Sequence, residues 1–208
     1  MFVSLLMMGC SLGFTSCSDD DDAQQNTIEV TTKTMYGDYT GKMTTTTAAT
    51  TDDNAPQGAD VKANVANDTV CIKKFPIKDI VMSIVNDEES ANDIVAAVGD
   101  IDYKIGYKPA LTSAKDSIMM VMEPEPLTLH IPLPAATEGE EAQSLTVVVK
   151  VEASENAAYC VENGKLKFGI KAMQVMLGED EEQVELPGFN PSMFSFELNQ
   201  SKVNPLRW

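Results

Sequence analysis

The sequence predicts a mainly antiparallel all-β fold, a barrel or a sandwich, interrupted by one or two short helices. Three observations predict it. Five stretches alternate strictly between apolar and polar side chains, a hairpin signal joins two likely neighbours in the chain, and a single region shifts to helical spacing.

Strict alternation marks a strand with one face buried. It runs through Ile101, Tyr103, Ile105 and Tyr107, then through Leu127, Leu129, Ile131 and Leu133. Leu145, Val147, Val149 and Val151 repeat it, as do Leu166, Phe168, Ile170 and Ala172, and finally Phe194, Phe196 and Leu198. Weaker alternation adds strands at 39–47, 69–75, 117–122 and 158–162, about eight or nine in all. Both faces of 118–122 are apolar, which predicts a strand covered on both sides. Asn163-Gly164, set between two alternating runs, predicts a tight hairpin with positive φ at both turn residues.

After Phe75-Pro76, the residues Ile77, Ile80, Val81, Ile84 and Val85 follow helical spacing, with Pro76 suited to a first turn. A capping box at Ser90–Asp93 and a closing Gly99 predict a second helix. The pair is expected to cover one edge or mouth of the sheet. Residues 44–51, 52–60, 134–144 and 178–192 read as loops or fraying strand ends. No internal repeat is present and no strong boundary follows residue 36, so 36–208 reads as a single β-rich domain.

Composition narrows the functional classes. The 208 residues are 43% hydrophobic and 23% charged, ordinary for a globular chain. Thirty-two acids against fifteen bases give a net charge of −17, which argues against nucleic acid as a partner. Arg207 is the sole arginine, so sites built on the guanidinium fork are nearly excluded.

Residues 1–16 carry no charge and are short for a membrane span, which needs about 20 residues. Such a run suits the core of an export signal. It ends at Phe14-Thr15-Ser16-Cys17, and Ser18-Asp19-Asp20-Asp21-Asp22 follows at once. In this stretch the chain resembles bacterial lipoproteins, more narrowly those of the Bacteroidetes. The resemblance implies a signal peptide over 1–16, acylation of Cys17 with palmitate-type chains, and an export signal for the outer cell surface in Ser18 to Asp22. Residues 17–35 are then a lipidated cysteine and polar tether, and the expected location is the outer membrane, lipid-anchored and surface-exposed. Cys10, after Gly9, competes weakly because no acidic tract follows it. An ordinary secretory signal with an incidental cysteine, or a buried apolar segment, stays open as the plainer reading.

Tyr39-Thr40-Gly41-Lys42-Met43, then Phe75-Pro76-Ile77, and the long alternating strands resemble a group of uncharacterised Bacteroidetes lipoprotein domains. Some relatives of that group look like calycin-type β-barrels, so a calycin-like barrel is the favoured architecture. The group supplies no catalytic residues. Asp68-Thr69-Val70 and Asp116-Ser117-Ile118 are similar to the O-glycosylation acceptor pattern of exported Bacteroidetes proteins, which would place sugars on Thr69 and Ser117.

Familiar catalytic signatures are missing: no G-x-S-x-G, no Gly-rich phosphate loop, no H-E-x-x-H and no C-x-x-C. His130, the only histidine, falls on the face opposite Leu129 and Ile131, and reads as a polar-face residue rather than a base or metal ligand. No cofactor or metal is expected. Cys71 and Cys160 each fall on the less apolar face of a strand. In an oxidising compartment they could form a disulfide, and two separate thiols are the alternative. Acids cluster at Asp87 to Glu89, at Glu138, Glu140 and Glu141, and at Glu179 to Glu182, all expected to be solvated loops rather than calcium or hydrolytic sites.

The expectation is therefore a non-enzymatic surface module that binds an unknown extracellular or envelope ligand. The alternative is a carrier whose barrel encloses a small apolar ligand between Tyr103, Tyr107, Met120, Met122, Phe168 and Phe196. Those side chains packed solid would count against the carrier. A carboxylate-dependent hydrolase ranks last, since it needs facing acids, one with a raised pKa.

Overall fold

The structure is a computed structural model that describes residues 29–47, 58–133, 143–154, 156–178 and 182–201. Eleven strands form one antiparallel sheet. Eight of them close into a barrel: β1 (Gly37–Thr47), β2 (Ala59–Ala66), β3 (Thr69–Lys73), β4 (Tyr103–Leu111), β5 (Ser117–Pro124), β8 (Ala157–Cys160), β9 (Lys165–Leu177) and β11 (Ser192–Gln200). Neighbours in this ring are neighbours in the chain except where β6 (Leu127–Leu133), β7 (Gln143–Ala153) and β10 (Val184–Glu185) are inserted. The ring shuts because β11 pairs with β1 on one edge and with β9 on the other.

Alternation sets what lies inside. Tyr39 and Met43, Val61, Ala63 and Val65, Ile105 and Tyr107, Ile118, Met120 and Met122, and Phe194, Phe196 and Leu198 all turn inward and are buried. The period fails at one place, and the failure is informative. Opposite β7, Lys150 faces Gln174 and Val151 faces Ala172, so Met173 is an extra residue in β9. This bulge switches β9 from even to odd inward positions, and Ala172 and Val175 are both buried. β9 therefore continues past the barrel with its apolar side still facing the core.

That continuation forms an arm of β6, β7, the end of β9 and β10. β5 passes into β6 at Glu125 and Pro126, where parity also switches, from Met122 to Leu127. The Tyr103 hydroxyl donates to the Glu125 carbonyl at this corner. Two helices, α1 (Lys78–Val85) and α2 (Glu88–Val98), connect β3 to β4, and α2 packs on β6. Phe75, Ile77, Ile80 and Val81 are buried beneath them, with the Phe75 ring 5.3 Å from Tyr103 and 6.0 Å from Phe194. This closes the far end of the barrel, as the helical spacing predicts.

The first end is closed by the chain's own entry. A 3-10 turn, Thr32–Met35, buries Met35 completely. The Tyr39 hydroxyl donates to the Met35 carbonyl, and Gln200 Nε2 donates to the carbonyls of Thr34 at 3.3 Å and Tyr36 at 2.9 Å. The Tyr159 hydroxyl donates to Gln200 Oε1 at 2.7 Å, so Gln200 is held from both sides.

Several local expectations need correction. β2 sits in a stretch with no strand expectation, because Ala and Asn at 63–66 dilute the apolar signal. The 163–164 hairpin exists, but its loop is four residues, 161–164. Only Gly164 has positive φ, 65°, while the Asn163 side chain accepts from the Lys165 amide at 3.0 Å. Pro76 precedes the N-cap of α1, which is Ile77. α2 is capped by Asp87, whose carboxylate accepts from the Ser90 amide, so Ser90 lies inside the helix. The strand at 118–122 is covered on one side only: Met119 is 44% and Val121 65% exposed. Outside the barrel those two meet solvent because no second layer covers β5.

Closure also dictates Gly41. A Cβ there would lie 2.1 Å from the Glu197 carbonyl oxygen and 2.8 Å from the Leu198 Cα, both backbone atoms of β11. At Gly106, by contrast, the nearest atom would be 3.4 Å away. Gly41→Ala should lower unfolding free energy by about 1–3 kcal/mol in a denaturant titration, the usual cost of overpacking. Gly106→Ala should change it by less than about 1 kcal/mol.

Candidate functional site

The barrel interior is the first place to look. Tyr103, Tyr107, Met120, Met122, Phe168 and Phe196 do all face inward, as parity predicts, and all are buried. Phe168 lies flat against Phe196 with ring centroids 4.5 Å apart, and Tyr159 meets Tyr39 edge-on at 6.4 Å. These side chains belong to one continuous hydrophobic core with Phe75 and Met35 inserted at the two ends.

Within that core the phenols are strongly desolvated. Burial raises the pKa of Tyr39, Tyr103 and Tyr107 far above the usual phenol value, so each is neutral. Tyr39 and Tyr103 donate to backbone carbonyls. The Tyr107 hydroxyl is the one buried side-chain polar atom among the described residues with no hydrogen-bond partner.

The remaining sequence candidates sit on the outside and apart from one another. His130 is exposed on β6, its Nδ1 3.3 Å from the Thr146 hydroxyl of β7. Among the described residues, no group of three or more His, Cys, Asp or Glu could hold a metal ion. Thr69 and Ser117 are half-buried beside turns at the barrel's first end. Thr69 donates to the Asn67 carbonyl, and the Ser117 amide donates to the Thr112 hydroxyl. Cys17, Ser18 and Asp19 to Asp22 lie outside the described residues, as do Glu138, Glu140, Glu141 and Glu179 to Glu181.

Cys71 and Cys160 are free and half-buried. The disulfide expectation is corrected here. Both thiols face outward, but β4 and β5 separate their strands, three inter-strand steps of about 4.8 Å each. Along the strands they differ further: Cys71 faces Lys104, whereas Cys160 faces Ser117, next to the Ile118–Leu111 pair. A bridge needs Cα atoms within about 7 Å. Parity places a side chain on a face but says nothing of which strands lie between.

Wherever a carboxyl is clearly displaced among the described residues it is held down. Ser90 hydrogen bonds lower Asp87, Lys73 lowers Asp102, Thr112 lowers Asp116 and Lys167 lowers Glu197. A general acid needs the opposite displacement.

One outer surface stands out by geometry. Two adjoining grooves cross the β9–β11–β1–β2 face, and Gly41 lines both. One, about 410 Å³, is bounded by Thr40, Lys42, Asp60 and Lys62, and the other, about 190 Å³, by Lys165, Lys167 and Glu197. Gly41, Lys42 and Asn199 belong to both. Register lays out two rows. Lys165, Asn199, Thr40, Lys62 and Lys73 face one another in order across five strands. Lys167, Glu197, Lys42 and Asp60 form the next row, tied by Lys167–Glu197 at 2.7 Å and Lys42–Asp60 at 2.8 Å. No motif search could find this site, since Lys42 and Lys62 lie more than a hundred residues before Lys165 and Lys167 in the chain.

The sequence over residues 34–177 matches a family described as a domain of unknown function, DUF4840. The chain belongs to that family. The DUF4840 match starts within the entry turn and stops at the last residue of β9, so β11, which shuts the ring, follows it. No curated protein and no solved structure matches the chain.

Two measurements follow from the described positions. Tyr107→Phe removes an unsatisfied buried hydroxyl and should leave stability unchanged or raise it by up to about 1 kcal/mol, whereas Tyr39→Phe should cost about 1 kcal/mol in the same denaturation assay. Alkylation under denaturing, non-reducing conditions should label both Cys71 and Cys160, seen as two mass increments on the peptides that carry them.

Proposed function

We propose that this chain is a lipid-anchored protein of the outer cell surface whose barrel is a non-enzymatic binding or accessory module. The observation that supports the reading is that the inward residues form one continuous hydrophobic core with Met35 and Phe75 at its two ends, which turns attention to the outer face for recognition. The charge-free segment 1–16, Cys17 and the run Asp19 to Asp22 support export, acylation and surface display. The described chain enters at the first end of the barrel and also leaves it there, because the Ser201 amide donates to the Asp38 carbonyl. A tether from Cys17 would therefore hold the barrel by that end, with the arm and helices directed away from the membrane.

The eight-strand ring, a near-sequential meander, supports a calycin-like relationship in architecture. A hydrolytic role lacks support among the described carboxylates, where each clear displacement is downward, and the side chains a carrier would line its cavity with belong to the hydrophobic core. Thr69 and Ser117 remain candidates for sugar attachment at the membrane-near end.

Acylation is tested with the full chain produced from its own leader in a Bacteroidetes host fed an alkyne analogue of palmitate. The chain should take up the label and partition with membranes, and Cys17→Ala should abolish both. An unmodified Cys17 thiol, with residues 1–16 still attached, would reject the proposal.

A further inference from the structure

We infer that the lysine-lined groove over Gly41 binds an anionic polysaccharide, one bearing carboxylate or sulfate groups. This deepens the binding-module reading by naming a ligand class for the outer face.

The inference starts from charge placement. The chain carries −17 overall, yet the residues lining the two grooves include four lysines, Lys42, Lys62, Lys165 and Lys167, against two carboxylates, Asp60 and Glu197. Among the described residues, Lys62 and Lys165 have no ion-pair partner, and they stand at either side of Thr40 and Asn199. At physiological ionic strength the Debye length is about 8 Å, so a ligand in the groove feels these ammonium groups more than the distant acids.

Shape and chemistry narrow the ligand. From Lys165 to Lys62 the row crosses three inter-strand steps, about 14 Å, which suits an extended chain better than one small anion. Thr40 and Asn199 supply a hydroxyl and an amide in the middle of the row, apt partners for sugar hydroxyls. No aromatic side chain lies in either row, so an uncharged sugar has no ring to stack upon and a nucleobase has none either. Lysine ammonium groups serve as point charges for carboxylate or sulfate without demanding fork geometry.

Electrophoresis of the full chain in native gels containing polygalacturonate, chondroitin sulfate or neutral dextran tests the inference. Retardation is expected in one or both anionic gels, and which of them retards it identifies carboxylate or sulfate. The double variant Lys62→Glu/Lys165→Glu should weaken retardation at least tenfold in apparent Kd. The charge-matched control Lys115→Glu/Lys150→Glu, away from the groove, should keep it, with thermal midpoints confirming that both variants fold. Free migration in both anionic gels, equal retardation in dextran, or equal loss in the control would each overturn the inference. Acylation at Cys17 is read separately, so failure here leaves the anchoring proposal standing.

Discussion

Closure of the sheet is the constraint on which everything else in this molecule rests. An open eleven-strand antiparallel sheet would leave long hydrogen-bonding edges exposed, and β11 removes two of them at once by bridging β1 and β9. The bridge demands tight curvature where β1 meets β11, and only a residue without Cβ allows the backbones to come that close at position 41. The same β1–β11–β9 pairing brings Tyr39 and Met43 inward and sets Phe168 opposite Phe196, whose rings stack.

Closing a ring leaves two mouths, and the chain treats them differently. At the far mouth a dedicated insertion of two helices drops Phe75, Ile77 and Ile80 onto the core. At the first mouth the polypeptide uses its own entry turn, held by tyrosine hydroxyls and the two-sided amide of Gln200. Polar groups at that end are anchored to backbone carbonyls because a buried carbonyl without a donor is costly. Together the two stoppers explain why six residues of the right type and parity for a ligand cavity are instead core.

Much of the fold was legible because burial on one face writes itself as period two. Leu127 to Leu133, Leu145 to Val151 and Phe194 to Leu198 were found this way, and so was the outward position of Cys71, Cys160 and His130. What escaped were facts that depend on partners distant in sequence. β2 hid because Ala63 is small enough for a crowded interior and so gives little apolar signal. The separation of the two thiols depends on strand order, which alternation does not encode. The exposure of Met119 and Val121 shows that an apolar residue needs a neighbour before it becomes core, and β5 has none outside. The groove was least legible of all, assembled from β9, β11, β1 and β2 by register alone.

The extra residue at Met173 has a consequence for how this architecture can vary. It acts as a phase correction between two halves of one strand, so the barrel and the arm keep independent inside-outside assignments. Losing Met173 itself would restore plain alternation and leave Val175 inward, whereas losing one residue beyond the bulge, such as Gln174, would turn Val175 and Leu177 toward water while Leu166 to Ala172 stayed in place. Changes of two residues preserve the phase. Length variation in the arm is thus permitted in even steps, and the ring beneath it need not register the difference.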